Sequence, residues 1–233
     1  MYKTLKKGLS INISIIIPVF NEPNINLYLK SLLNLDIKNH EIIVVDGNNS
    51  STIELIKDAN IIKATSIKGR ANQMNKGASL ASNKILLFLH ADTILPNNAL
   101  IEIKNILKQE EIKAGAFDLS FNSKNMFLSM IAKTASLRSR LTRIPYGDQA
   151  IFIKRDIFQK IGTYENFPLM EDVNLMEKLK KENYKIEISK EKVITSSRKW
   201  DNSGILFTTL RNWVLISLYF LGVSPKKLAK FYN

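Results

Sequence analysis

Three short runs of almost purely apolar residues, 13–19 (ISIIIPV), 41–46 (EIIVVD) and 84–90 (KILLFLH), each stop abruptly at polar or acidic sequence. Strands that are apolar on both faces need cover on both faces, the condition of a parallel sheet sandwiched between helices. Between them lie segments with helical spacing or capping chemistry: 25–35, 52–57 with Ser50 or Ser51 as cap, 71–81, and 97–108 opened by Pro96. A fourth strand is predicted at 61–65. Alternating units of this kind predict an α/β fold whose strands end along one edge, where ligands collect. Glu22, Asp46 and Asp92 fall at that edge, with His90, Lys68 and Arg70 beside them. On an extended backbone His90 and Asp92, two residues apart, project to the same side. An imidazole and a carboxylate so placed can share a divalent cation and leave positions for diphosphate oxygens. A polar turn after a core strand explains the same residues equally well.

Composition narrows the choice. With no cysteine among 233 residues, disulfides, thiolate metal sites and cysteine nucleophiles are excluded, and a cytoplasmic location is expected. Lys3, Lys6 and Lys7 ahead of apolar residues imitate a leader peptide, but Asn12, Ser14 and Pro18 interrupt the run, which reads better as a first strand. No stretch reaches the roughly 18 apolar residues a bilayer span requires. The net charge of +13 admits nucleic acid, an anionic membrane surface or an anionic substrate. Lysine outnumbers arginine, and isoleucine and asparagine abound, as AT-rich coding alone would give. No zinc-finger spacing or RNA-recognition strand is present, so no nucleic-acid partner is expected. The first strand is followed by neither a P-loop nor a G-x-G-x-x-G turn.

The second half reads as a strand at 113–121, a helix at 126–143 and a strand opened by Tyr146 and running through Ile153. A helix at 169–181 and two short strands, 184–189 and 192–196, follow. Arg138, Arg140 and Arg143 fit a solvated face with dipole compensation, or a clamp on an anionic group. Glu171 and Asp172 open their helix where acids complement the free amides. A last helix, 205–221, is apolar nearly all round toward its end and predicts a buried helix or a dimer contact rather than a bilayer-surface anchor.

IIIPVFNE (15–22), VVDGNNS (44–50), KGRANQMNKGA (68–78), LLFLHADT (86–93) and PLMEDVNL (168–175) together resemble family 2 glycosyltransferases of GT-A fold. The resemblance covers essentially the whole chain. It is closest to the small branch found beside radical-SAM proteins and linked to arsenosugar biosynthesis. It implies a GT-A domain over 1–200, with a donor half at about 11–110 and an acceptor half at 111–200, and a helical extension at 201–233 packed on it. The implied sheet is mostly parallel and flanked by helices. By similarity, Pro18, Glu22, Asp46, Lys68, Arg70 and Ala91 form the donor nucleotide site for a UDP- or GDP-sugar. Asp92 matches the last acid of the family's D-x-D metal motif, with His90 in place of the first, implying Mn or Mg as cofactor. Asp172 matches the general base, with Glu171 orienting it or the acceptor. Gly147, Asp148, Gln149 and Trp200 match the acceptor cleft.

The implied reaction is an inverting, metal-assisted transfer to a small or lipid-linked hydroxyl acceptor. Ser196 and Lys199 stand where processive members carry the Gln and Arg of Q-x-x-R-W, which argues against polymer synthesis. The terminal helix is expected to mediate a homodimer or a peripheral contact with the inner face of the membrane. A sugar-1-phosphate nucleotidyltransferase is the first alternative, although such enzymes carry a glycine-rich basic loop where this chain has PVFNEP. A catalytically inactive nucleotide-sugar-binding module is allowed by His90, and a basic surface-binding protein by the charge.

Overall fold

The computed structural model describes residues 12–33, 35 and 40–232. Lys3, Lys6 and Lys7 lie outside the described residues, as does position 34 of the first predicted helix. β1 (Ile13–Val19) runs through the middle of the first half, parallel to β2 (Glu41–Asp46) on one side and β4 (Ile85–Phe88) on the other. β3 (Ile62–Thr65) extends the edge beyond β2. Successive β1 side chains divide between two cores, as strand geometry requires. Ile13, Ile15 and Ile17 pack with α1 (Ile25–Leu33) and α3 (Ala99–Leu107), and Ile16 packs on the other face with α2 (Arg70–Leu80). α2 lies so close to the sheet that any side chain at Gly77 would collide with Ile16. That approach carries the head of α2, and Arg70 with it, to the carboxyl edge.

The second half completes an eight-stranded sheet of order β3, β2, β1, β4, β7, β6, β8, β5. β5 is Thr93–Ile94, β6 Ile112–Phe121, β7 Phe152–Lys154 and β8 Lys185–Thr195. β7 and β5 are antiparallel to their neighbours and the rest are parallel, so the sheet is mixed. The two strands predicted at 184–189 and 192–196 form one strand whose register against β6 jumps between Ile188 and Lys192. α4 (Met126–Thr142) covers β6, and α5 (Arg155–Lys160) and α6 (Glu171–Lys181) lie on the α2 side.

Three expectations fail for local reasons. Residues 52–57 make only a single 3-10 turn, Ile53–Leu55, because the Asp46 carboxylate, not a serine, takes the free amides there. The strand expected to open at Tyr146 begins at Phe152, and Gly147–Gln149 form another 3-10 turn. After α7 (Arg198–Ser203), the helix α8 (Ile205–Phe220) is not buried within the chain, which removes the buried-helix alternative and leaves the dimer contact. Thr208 and Leu215 are its buried residues, while Leu206, Phe207, Leu210, Trp213 and Val214 face solvent. α9 (Pro225–Ala229) folds back so that Leu228 meets Leu215 and Leu169 just before α6.

Candidate active site

β4 stops at Phe88, and the chain turns at once, with the Thr93 amide bonded to the His90 carbonyl at 3.1 Å. Tyr28 on α1 fixes this turn from below. Its buried hydroxyl makes a three-centre bond to the carbonyls of His90 (2.8 Å) and Thr93 (2.9 Å). His90 and Asp92 therefore sit in a turn rather than on an extended strand, although both line one pocket. Asp92 is exposed at the mouth of a pocket. The His90 ring turns instead toward the backbone of Gly147, where an added Cβ would lie 3.1 Å from Nε2. Burial, with Arg70 nearby, drops the imidazole to about 3, so it is neutral.

At the head of α6 two adjacent acids diverge. Met170, left-handed at φ 66°, costs about 1 kcal/mol of backbone strain and sets the angle at which they leave the chain. Glu171 is buried and pairs with Arg70 at 2.9 Å, while its Oε2 has no partner. Burial raises its carboxyl above the usual range, against the pull of Arg70. Asp172 turns into the pocket. Its Oδ2 accepts from the Gly147 amide at 2.6 Å and its Oδ1 from the Val173 amide at 2.8 Å. The turn at 147 and the head of α6, twenty-five positions apart in the chain, are thus tied together by the predicted base.

Gln149 and Asp148 also part company. Gln149 is buried, accepting from Ser139 Oγ (2.7 Å) and the Tyr146 amide (3.1 Å) and donating to the Phe117 carbonyl (2.8 Å), so it braces the turn from behind. Asp148 faces the cavity with Oδ1 unpartnered. Burial, then the neighbouring Asp172, raises it to about 6. The arginines of α4 separate as well. Arg138 lies 3.4 Å above the Tyr146 ring beside Asp148, Arg140 pairs with Asp118, and Arg143 reaches Glu187 at 3.6 Å.

The far wall comes from the C-terminal helices, and of its residues Trp200 alone was expected here. Arg198, Lys199 and Trp200 of α7 line the pocket, and Tyr232 closes it. The Lys199 ammonium sits 3.5 Å above the Tyr232 ring and bonds its hydroxyl, while Arg211 donates to the Tyr232 carbonyl at 3.2 Å. Burial, with Arg211 near, lowers Lys199 to about 8. Trp200 packs edge-on against Phe121 at 4.7 Å, leaving Nε1 unpartnered. Asn212 of α8, unremarkable in an apolar helix, faces the same cavity.

The resulting pocket, about 210 Å³, brings together Arg70, His90, Asp92, Asp148, Asp172 and Trp200. Gly147 also lines it, whereas Pro18, Glu22, Asp46, Lys68, Ala91, Gln149 and Glu171 do not. Asp46 is fully buried, and its oxygens accept from the amides of Asn48 (2.8 Å), Thr52 (2.6 Å) and Ile53 (3.3 Å). Its carboxylate holds the loop rather than facing a nucleoside. Gln73 clamps the same corner from α2, donating to the carbonyls of Val19 (2.6 Å) and Val45 (2.9 Å). Glu22 remains half-open, and burial raises its carboxyl against the attraction of Arg198. Lys68 lies over the Phe20 ring at 4.4 Å. Pro18 stays within β1 opposite Val45, and Ala91 sits partly buried in the His90 turn. Among the described residues no three His, Asp or Glu side chains gather as metal ligands.

The profile of glycosyl transferase family 2 matches residues 14–162. The chain belongs to that family. A poly-beta-1,6-N-acetyl-D-glucosamine synthase of Staphylococcus epidermidis is 24% identical over 196 residues, covering 75% of this chain and 47% of the synthase. The chain thus spans about half the length of the curated relatives it matches. Among solved structures, the mannosyltransferase PcManGT of Pyrobaculum calidifontis, in complex with GDP-Man and Mn2+, superposes with a TM-score of 0.67 at 14% identity. That match covers 94% of this chain and 67% of the neighbour. S. aureus TarS in complex with UDP gives 0.62 at 14% identity, over 95% and 69% of the two chains. These likenesses establish the GT-A fold, and none of the described helices is long and apolar enough to cross a membrane.

Proposed function

We propose that this family 2 domain is an inverting glycosyltransferase that moves a sugar from a UDP- or GDP-sugar to a hydroxyl acceptor in a single displacement. The observation that carries the reading is the meeting of Asp92, Asp172 and Asp148 in one pocket whose other walls bear Arg70, Arg198 and Lys199. Acids to take a proton and cations to receive a diphosphate are what the reaction needs. Asp172, held by two backbone amides, takes the proton of the acceptor hydroxyl as its oxygen bonds to the anomeric carbon. The bond from that carbon to the diphosphate breaks, and the electron pair leaves with the diphosphate. Arg198 and Lys199 hold the departing charge, and the Glu171 pair orients Arg70 beside them. Asp148 and Trp200 face the acceptor.

The donor set fits a cation that arrives with the diphosphate and keeps part of its water, because Asp92 offers one exposed carboxylate and His90 faces Gly147 instead. Asp92 would hold Mn or Mg. Bound there, the ion offsets charge on the leaving group, and the Mn2+ in the Pyrobaculum neighbour supports this. The five-motif pattern alone supports the radical-SAM-associated branch, and Ser196 and Lys199 support transfer of one sugar rather than polymerisation.

One observation favours a second assignment of the base. Asp148 has an oxygen without a partner, and burial raises its carboxyl to about 6. Single-turnover assays of Asp172→Asn and Asp148→Asn separate the two: the account expects the larger loss at Asp172, and the reverse order moves the base to Asp148.

A further inference from the structure

A second cavity, about 340 Å³, lies beside the first and runs between α4 and α8 over the end of β6. Its walls are mainly apolar: Leu119, Phe121, Ile131, Ala135, Trp213 and Ile216. It borders the pocket, sharing Tyr146, Asp148, Trp200, Asn212 and Ile216 with it. At that junction three buried polar atoms have no partner: Asp148 Oδ1, Trp200 Nε1 and Asn212 Oδ1. Native interiors rarely leave such groups unpaired. Two acceptors and one donor at the mouth of an apolar channel are complementary to the hydroxyls of a polar headgroup.

We infer that the acceptor is an amphiphile, with a hydroxyl-bearing headgroup at this junction and an apolar chain in the groove between α4 and α8. The inference rests on the transferase reading of the adjoining pocket. A soluble sugar would leave the groove walls exposed to water, and a protein surface could not fill a channel that ends at the reacting groups. A single chain tethered to the headgroup satisfies both ends. The groove flanks fit a ligand delivered from an apolar phase, since Met130 and Leu137 on α4 and Leu210 and Trp213 on α8 are exposed.

Both tryptophans of the chain, Trp200 and Trp213, line the groove, so intrinsic fluorescence reports its filling. Methyl and octyl β-glucoside, below micelle formation, are the probes. The octyl compound should bind at least about tenfold more tightly, a modest share of the roughly fourfold per methylene that full burial gives. Ala135→Phe, which fills the groove, and Thr134→Phe, at its rim, should remove that gain. UDP and GDP affinity, measured by calorimetry, should be unaltered in both variants. Asn212→Leu should weaken octyl glucoside more than octanol. Equal binding of the two glucosides, or a chain-length gain that survives in variants with normal nucleotide affinity, overturns the inference and leaves the transferase reading in place. Chain-dependent binding by a wild-type protein with no nucleotide affinity overturns the transferase reading instead, leaving the groove as an amphiphile site.

Discussion

The ends of β2 and β4 look alike in the sequence and differ in the structure. Each is an apolar run closing on a carboxylate. Asp46 is buried and gives its oxygens to three backbone amides of its own loop. Asp92 stands exposed at the rim of a cavity that contains unpartnered polar atoms. A polar group whose bonds are filled by the fold is architecture, while one left open at a cavity awaits a ligand. The same contrast separates Gln149, bonded to the fold through both ends of its amide, from Asp148 next to it, whose Oδ1 has no partner.

The largest effect should come from the acids that face the pocket. Asp172→Asn keeps the shape and removes the basicity, so turnover should fall by roughly 10² to 10⁴, with nucleotide affinity by calorimetry within about twofold. Near-normal turnover would make Asp172 a clamp for Gly147 and nothing more.

The closed side should fail in stability instead. Asp46→Ala strands buried amides, which should cost about 3 kcal/mol and lower Tm by roughly 6–12 °C. Asp148→Asn should leave the denaturant midpoint unchanged or raise it, because no fold partner is lost at Oδ1. If the two variants lose stability equally, the contrast between closed and open carboxylates collapses.

A smaller effect is expected in the pH profile of nucleotide affinity. Lys199 loses its proton near 8 in the free protein, and a bound diphosphate favours the charged form and raises that value. Affinity should therefore be full below about 8 and decline as pH rises through it. The decline should approach tenfold per unit, and Lys199→Met should flatten it. A wild-type profile flat from pH 7 to about 9.5 would remove Lys199 from the diphosphate site.

Smallest of all, Tyr28→Phe removes one hydroxyl from beneath the His90 turn. It should cost about 1 kcal/mol in urea unfolding and reduce turnover only a few-fold. A hundredfold loss of activity would show that the turn is a working part and not a support.

The first half was legible because its signals are local. Apolar runs on both strand faces, polar breaks and helical spacing placed β1, β2 and α2 within a residue or two. What escaped depends on partners distant in the chain. Nothing near Asp46 announces that its carboxylate caps the turn at 53. The bend at His90 needs Tyr28, sixty-two positions earlier, and that tyrosine sits in an amphipathic helix where any core aromatic would fit. Asn212 reaches the pocket from α8, and Tyr232 because α9 folds back on α8. Burial of α8 within the chain was not legible, because an apolar sequence states a preference for burial without saying what provides it, and among the described residues nothing covers its outer face.

The central claim is a single displacement at the pocket between Asp92 and Asp172, and the stereochemistry of the product tests it most directly. Proton NMR of the first glycoside product, recorded before further transfer, should show the anomeric configuration opposite to that of the donor sugar. A product that retains the donor's configuration would contradict the account.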